Sequence, residues 1–157
     1  MKRIHSFAVA VVLGLICFEA YGQASAASTA QVIKSQAPKG ITSAFYACID
    51  KADSNADHAA LGACETAEKK VQDNRLNAVY KSVLGKLSGK KKEDLISAQR
   101  AWLEFHRKSE GIEFSLYGGD SDTVSRSESG FEIDLQVIFR LCERANTLDT
   151  YLSLAND

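Results

Sequence analysis

From Gly40 to the last residue, Asp157, the chain contains no proline, while alanine, leucine, lysine and glutamate recur throughout. Proline is the residue that helix interiors exclude most strongly, and the frequent residues are the best helix formers, so this composition favours helices along the whole stretch. The apolar spacing agrees in three places, each following the i, i+3, i+4, i+7 rule that puts residues on one helical face. Over about 65–87 the stripe is Val71, Leu76, Val79, Tyr80, Val83, Leu84 and Leu87, and "LSGKKKED" then breaks it with a glycine and a charged turn. A second helix over about 91–116 carries Leu95, Ala98, Trp102, Phe105 and Ile112. After "YGGDSDTVSRSESG", a loop by composition, Phe131, Leu135, Ile138, Leu141, Cys142, Ala145, Leu148 and Leu152 mark the last helix. A shorter helix over about 41–52 has Phe45 and Cys48 on one side. No segment alternates with period two, so a sheet has little support. The expected fold is all-α, a small bundle of about four helices joined by short turns and one longer loop.

The start of the chain is a different kind of sequence. In "MKRIHSFAVAVVLGLICFEAYGQASA", Lys2 and Arg3 supply a charged start, residues 7–18 an apolar core, and Ala24-Ser25-Ala26 a small-x-small cleavage site. This pattern predicts a signal peptide over 1–26, cut after Ala26, and hence a periplasmic or secreted protein. The apolar run is too short to span a bilayer, and Ile16 before Cys17 does not fit lipoprotein processing, so no stable membrane anchor is expected after cleavage. Residues 27–40, "ASTAQVIKSQAPKG", are small and polar, hold the only proline, and read as a flexible arm. Residues 41–157 are then a single domain, long enough to bury a core.

Charge and cysteine content narrow the function classes. The mature chain keeps 17 basic and 19 acidic residues once Lys2, Arg3 and Glu19 are removed, a balance without the concentrated basic surface that nucleic acid requires. Export makes disulfides the normal fate of its three cysteines, Cys48, Cys64 and Cys142. Cys48 and Cys64 flank "IDKADSNADHAALGA", a turn-like segment between helices, and a disulfide there would join the first helix to the start of the second; two buried thiols are the alternative. Cys142 follows Leu141 on the apolar stripe of the last helix and reads as an inert packing residue.

Catalytic chemistry finds little purchase. His58 and His106, the only mature histidines, belong to no ligand-spaced pattern; His58 reads as a solvated loop residue and His106 as a helix-surface residue beside Phe105. There is no phosphate-binding glycine loop and no nucleophile elbow. The expected protein is therefore not an enzyme, with no catalytic residues, no metal and no cofactor. The loop over 118–130 holds Asp120, Asp122, Arg126 and Glu128, with Glu132 and Asp134 just beyond, a local net charge of −4 over 118–136. One reading is a solvated connector whose trailing acids favour the start of the last helix. The other is a docking surface for a cationic partner, with Asp120, Asp122 and Glu128 as contact residues.

The ordered motifs resemble a family. Cys48 and Cys64, then "RLNAVYKSVLGKL" with Leu76, Asn77 and Tyr80, then "LISAQRAWLEFHRK" with Gln99, Arg100, Trp102 and Arg107, and finally "CERANT" from Cys142 are similar to the LprI-type lysozyme inhibitors, small exported bacterial proteins. The resemblance implies a helical domain, usually with two disulfides, a structural role for these motif residues, and a protein partner, namely a lysozyme, without a cofactor. The chain departs from the pattern in lacking a fourth cysteine near Glu110 or Gly111, the partner the resemblance implies for Cys142, and in having Thr150 about where the family often has an arginine. A competing reading is a structural or accessory envelope module, or an immunity protein against another secreted toxin. Within "SAQRAWLEFHRKSEG" helical spacing makes Trp102 a core anchor, sets Gln99 to brace a neighbouring helix, and lets Arg100 pair with Glu104 at i, i+4.

Overall fold

The computed structural model describes residues 27–117 and 123–156, with side chains from 117 and 123–133 left undescribed. The expected signal peptide lies outside them. The order is α1 (Thr29–Gln36), α2 (Ser43–Ser54), α3 (His58–Lys86), α4 (Gly89–Tyr117) and α5 (Thr123–Leu154), and the described residues contain no strand. The all-α expectation holds, with five helices in place of about four.

The additional helix is α1, in the segment expected to be a flexible arm. Its first turn is closed by a capping box: Gln31 N–H donates to Ser28 Oγ at 3.3 Å and Ser28 N–H donates to Gln31 Oε1 at 3.1 Å. Ala30 and Ile33 are buried, and Thr29 Oγ1 donates to Asp53 of α2 at 2.7 Å. Two apolar residues at i, i+3 are too few to register as a period, which is why composition suggested disorder. Pro38 explains the stop, because the residue before a proline is driven out of the helical region, and Ala37 is extended at φ −71°, ψ 142°.

The other boundaries also follow from capping. Thr42 accepts from Phe45 N–H at 3.1 Å to open α2, and Asp57 accepts from Ala60 N–H at 2.9 Å to open α3, about three and a half turns before Val71, where the expected apolar stripe begins. The expected loop over 118–130 is shorter than its composition implied, because α5 is already helical from Thr123. Gly130 sits inside that helix, where a single glycine costs only about 1 kcal/mol relative to alanine.

Two cores meet on α5. Leu135, Ile138 and Cys142 pack with Ala30, Ile33, Ile41, Phe45, Ile49, Ala52 and Cys64 from α1, α2 and the start of α3. Val137, Leu141, Ala145 and Leu148, one residue out of phase, pack with Leu76 and Val83 of α3 and Leu95 of α4. The two interleaved sets give α5 an apolar arc wide enough to serve both. By contrast, α4 packs chiefly on α5.

Cys48 and Cys64 form the disulfide, with Cα atoms 5.8 Å apart, tying α2 to the first turns of α3. Cys142 is free and fully buried. Closing the loop between the paired cysteines should stabilise the fold by about 3 kcal/mol in the chain-entropy model, so Cys48→Ser with Cys64→Ser should lower the urea-unfolding free energy by that order. Thiol titration of the oxidised mature chain should find one thiol after denaturation and almost none before it; a count of three would contradict the bond.

Candidate functional site

The family-like motifs converge on α5, and polar contacts accompany the apolar packing between them. Arg75, which opens the α3 motif, donates through Nη2 to Asn146 Oδ1 at 2.7 Å and to Asp149 at 2.5 Å, and its Nη1 lies 3.7 Å from the Cys142 sulfur. Cys142 and Asn146 reach in turn to the carbonyl of Lys39, at 3.4 and 2.8 Å. One guanidinium thus joins α3 to α5, and two α5 side chains hold the segment between α1 and α2.

Gly40 is shaped by the same node. Its φ is +116°, and a Cβ there would stand 2.6 Å from Arg75 Nη1 and 3.2 Å from the Cys142 sulfur. Its carbonyl accepts from Gln72 Nε2 at 2.9 Å. Next to it, Glu68 accepts from Thr42 N–H at 3.0 Å, from Thr42 Oγ1 at 2.5 Å and from Gln72 Nε2 at 2.7 Å. Glu68 and Gln72 are both buried on the inner face of α3. Gly40→Ala should therefore destabilise the fold by about 1–3 kcal/mol, read from chemical denaturation.

On its other side α5 holds α4 through a ladder of stacked and hydrogen-bonded groups. Arg144 Nε donates to Gln99 Oε1 at 2.9 Å, and the guanidinium lies 5.9 Å from the Trp102 ring centre. The Trp102 ring stacks on His106, with centres 4.9 Å apart and planes 16° from parallel. Arg140 donates from Nε to His106 Nδ1 at 3.5 Å and in a bidentate pair to Glu113 at 2.5 and 2.8 Å. Lys69 of α3 adds a pair to Glu110 at 3.5 Å and a longer one to Asp134 at 4.0 Å.

His106 is thus part of the seam, a correction to its expected place as a surface residue; its neighbour Phe105 is the exposed one, because 100° per residue separates them around the helix. Burial first, and then the Arg140 charge, hold the His106 imidazole below its ordinary 6.5, with Lys69 adding in the same sense and Glu110 and Glu113 opposing. Its Nδ1 accepts a hydrogen bond, which also requires the neutral ring. A histidine depressed in the fold stabilises fully above the unfolded value and loses that contribution as pH falls from 6.5 toward its folded value. The urea midpoint should therefore fall between about pH 7.5 and pH 5.5, and His106→Gln should flatten that slope; an unchanged slope in the variant would locate the dependence elsewhere.

The Cys142 thiol is pushed up by burial, against the pull of Arg75, which suits an inert packing group. Its surroundings also bear on the missing fourth cysteine. Glu110 lies by Lys69 at the level of Asp134, eight residues or about 12 Å along α5 from Cys142, whose sulfur faces Lys39, Gly40 and Arg75.

The remaining motif residues divide by exposure. Leu76 is buried, Tyr80 and Trp102 are half-buried, and Gln99 is buried and braces α5 as its spacing suggested. Asn77, Arg100 and Arg107 are exposed; Asn77 Nδ2 donates to the Asp73 carbonyl. The ion pair expected between Arg100 and Glu104 is instead Glu104 with Lys108 at 2.8 Å, the order that suits the helix dipole. His58 is exposed as the first residue of α3. Of the docking residues read from the acidic loop, Asp120 and Asp122 lie outside the described residues, and Glu128 falls on α5 with its side chain undescribed.

Sequence reading missed the buried polar face of α3. Val71 was taken as the start of its stripe, but Val71 is 45% exposed and the inner positions are Glu68, Gln72 and Leu76. It also missed how much of α4 faces outward: Leu103, Phe105, Ile112, Phe114 and Leu116 are all more than half exposed. Of these, Phe105, Ile112 and Leu116 fall on one side of the helix, and large apolar groups exposed together in this way mark an interaction surface. Among the described residues no helix is long and apolar enough to cross a membrane, and no three potential ligand side chains cluster as a metal site would need.

A family model described as "Lysozyme inhibitor LprI" matches residues 48–148, from the first disulfide cysteine to the last buried leucine of α5. No curated protein and no solved structure matches the chain.

Proposed function

Because this chain belongs to the LprI lysozyme inhibitor family, we propose that it is an exported, non-enzymatic protein-binding domain whose partner is a lysozyme-type peptidoglycan hydrolase. The family match, which reaches from within α2 into α5, carries the reading. Three features support it. The Cys48–Cys64 disulfide fits an oxidising compartment, as the signal-like start of the chain does. Several motif residues, Arg75, Gln99 and Trp102 among them, are occupied by helix-to-helix contacts, which leaves recognition to exposed groups. And residues 118–136, at the junction of α4 and α5, carry a net charge of −4, complementary to the basic surface typical of lysozymes.

On this reading Asp120, Asp122 and Glu128 contribute mainly to encounter, because charged rim groups act on association more than on the life of the complex. Purified mature chain should slow lysozyme-driven lysis of cell walls at near-stoichiometric ratios. Asp120→Lys, Asp122→Lys and Glu128→Lys together should weaken inhibition by about tenfold or more, mostly through slower association, with the wild-type rate falling as salt rises. No inhibition at about tenfold excess over several lysozyme classes would remove the lysozyme assignment and leave an accessory or immunity role in the envelope, to be sought by co-purification.

A further inference from the structure

The apolar spacing of α4 continues beyond what its own chain buries. Leu95, Gln99 and Trp102 face α5, but Ala98, Ala101, Phe105, Ser109, Ile112 and Leu116 form a second line at steps of three or four residues. That is the spacing of a seam between two helices. It runs about 27 Å along α4, and Phe105, Ile112 and Leu116 on it are 58%, 56% and 73% exposed.

The line is graded in size. Its N-terminal half is small, with Ala98 and Ala101, and there a cavity of about 400 Å³ opens between α4 and the end of α5, lined by Leu87, Asp94, Leu95, Ala98, Tyr151 and Leu154. Its C-terminal half is large, with Ile112 and Leu116. A helix that is small at one end and large at the other complements itself when a second copy runs antiparallel, since each large end then meets a small one.

We propose that this face binds a second copy of the chain, giving a two-fold dimer in which the two α4 helices pack antiparallel about Phe105. In that register Ile112 of each copy lies against Ala98 of the other, and Leu116 enters the cavity beside Tyr151 and Leu154. Such an interface is isologous, so it closes as a dimer and does not propagate. The exposed parts of Phe105, Ile112, Leu116, Tyr151 and Leu154 amount to roughly 600 Å² of mainly apolar surface, close to the ~800 Å² per partner of a standard interface before any polar rim is counted. The contact as drawn requires no residue of the acidic segment invoked for lysozyme, so the dimer stands or falls separately from that function.

Light scattering or sedimentation of the oxidised mature chain tests the inference. The expected mass is twice that of one chain, and Phe105→Glu with Ile112→Glu should return it to one chain with the helical circular dichroism unchanged, since both side chains are already exposed. Register is tested independently with Ala101→Cys and Ser109→Cys in one chain, which the antiparallel arrangement brings opposite each other. Eight residues, or about 12 Å, separate them along one helix, so oxidation should yield covalent dimers and not an internal bridge. Arg107→Cys, on the other flank, should give none. A monomer at every concentration up to about 100 μM, a dimer indifferent to the glutamates, or cross-linking through position 107 in place of 101 and 109 would each overturn the proposal.

Discussion

The fold depends on α5 burying two sets of apolar residues at once. Ile138 and Cys142 belong to the core shared with α1 and α2, while Val137, Leu141, Ala145 and Leu148 belong to the core shared with α3 and α4. Ile138, Cys142, Val137, Ala145 and Leu148 are each fully excluded from solvent. Burying a large aliphatic side chain is worth about 1.5–3 kcal/mol, so the helix that carries both sets holds a disproportionate share of the stability. It also sets the position of its neighbours: Arg75 is drawn to Asn146 and Asp149 from one side, and Gln99 and Glu113 to Arg144 and Arg140 from the other.

Polar contacts decide register within this arrangement, because apolar stripes alone would tolerate sliding by a turn. A bidentate Arg140–Glu113 pair, only 14% and 20% exposed, is far more directional than a leucine contact. The Glu68, Gln72 and Gly40 contacts do the same for the segment ahead of α2. Had any of these groups been buried without its partner, the desolvation cost would have been about 1–3 kcal/mol or more, which penalises misaligned packings. Within the family-like motif, Arg75 and Gln99 align α3 and α4 on α5 in the same way.

Much of this was legible before any coordinates. The all-α class, the disulfide, and the stripes of α5 and the later part of α3 all come from apolar period and cysteine context, which are properties of single helices. What escaped depends on relations between helices. The inner face of α3 near Glu68 and Gln72 is polar because Thr42 and Gly40 approach it there, and nothing local to α3 announces that approach. α1 went unread because two buried residues make no period, although the Ser28–Gln31 capping box was present in the sequence as a signal. His106 was misplaced for a related reason: its ring is held by Arg140, 34 positions away.

The helix α4 shows where this kind of reading reaches its edge. Leu95, Ala98, Trp102, Phe105 and Ile112 were read as one stripe facing one core, yet they span about 100° of the helix and α5 covers only one side of that arc. With α5 as its main neighbour, only the part centred on Leu95, Gln99, Trp102 and His106 is covered, and Phe105 and Ile112 turn outward. An apolar arc wider than its covered face is what a helix carries when it meets two surfaces, as α5 does within the chain. For α5 both surfaces are internal; for α4 one of them is not. The periodicity was therefore informative about packing throughout α4, and what it left open was whether each packed surface belongs to the same molecule.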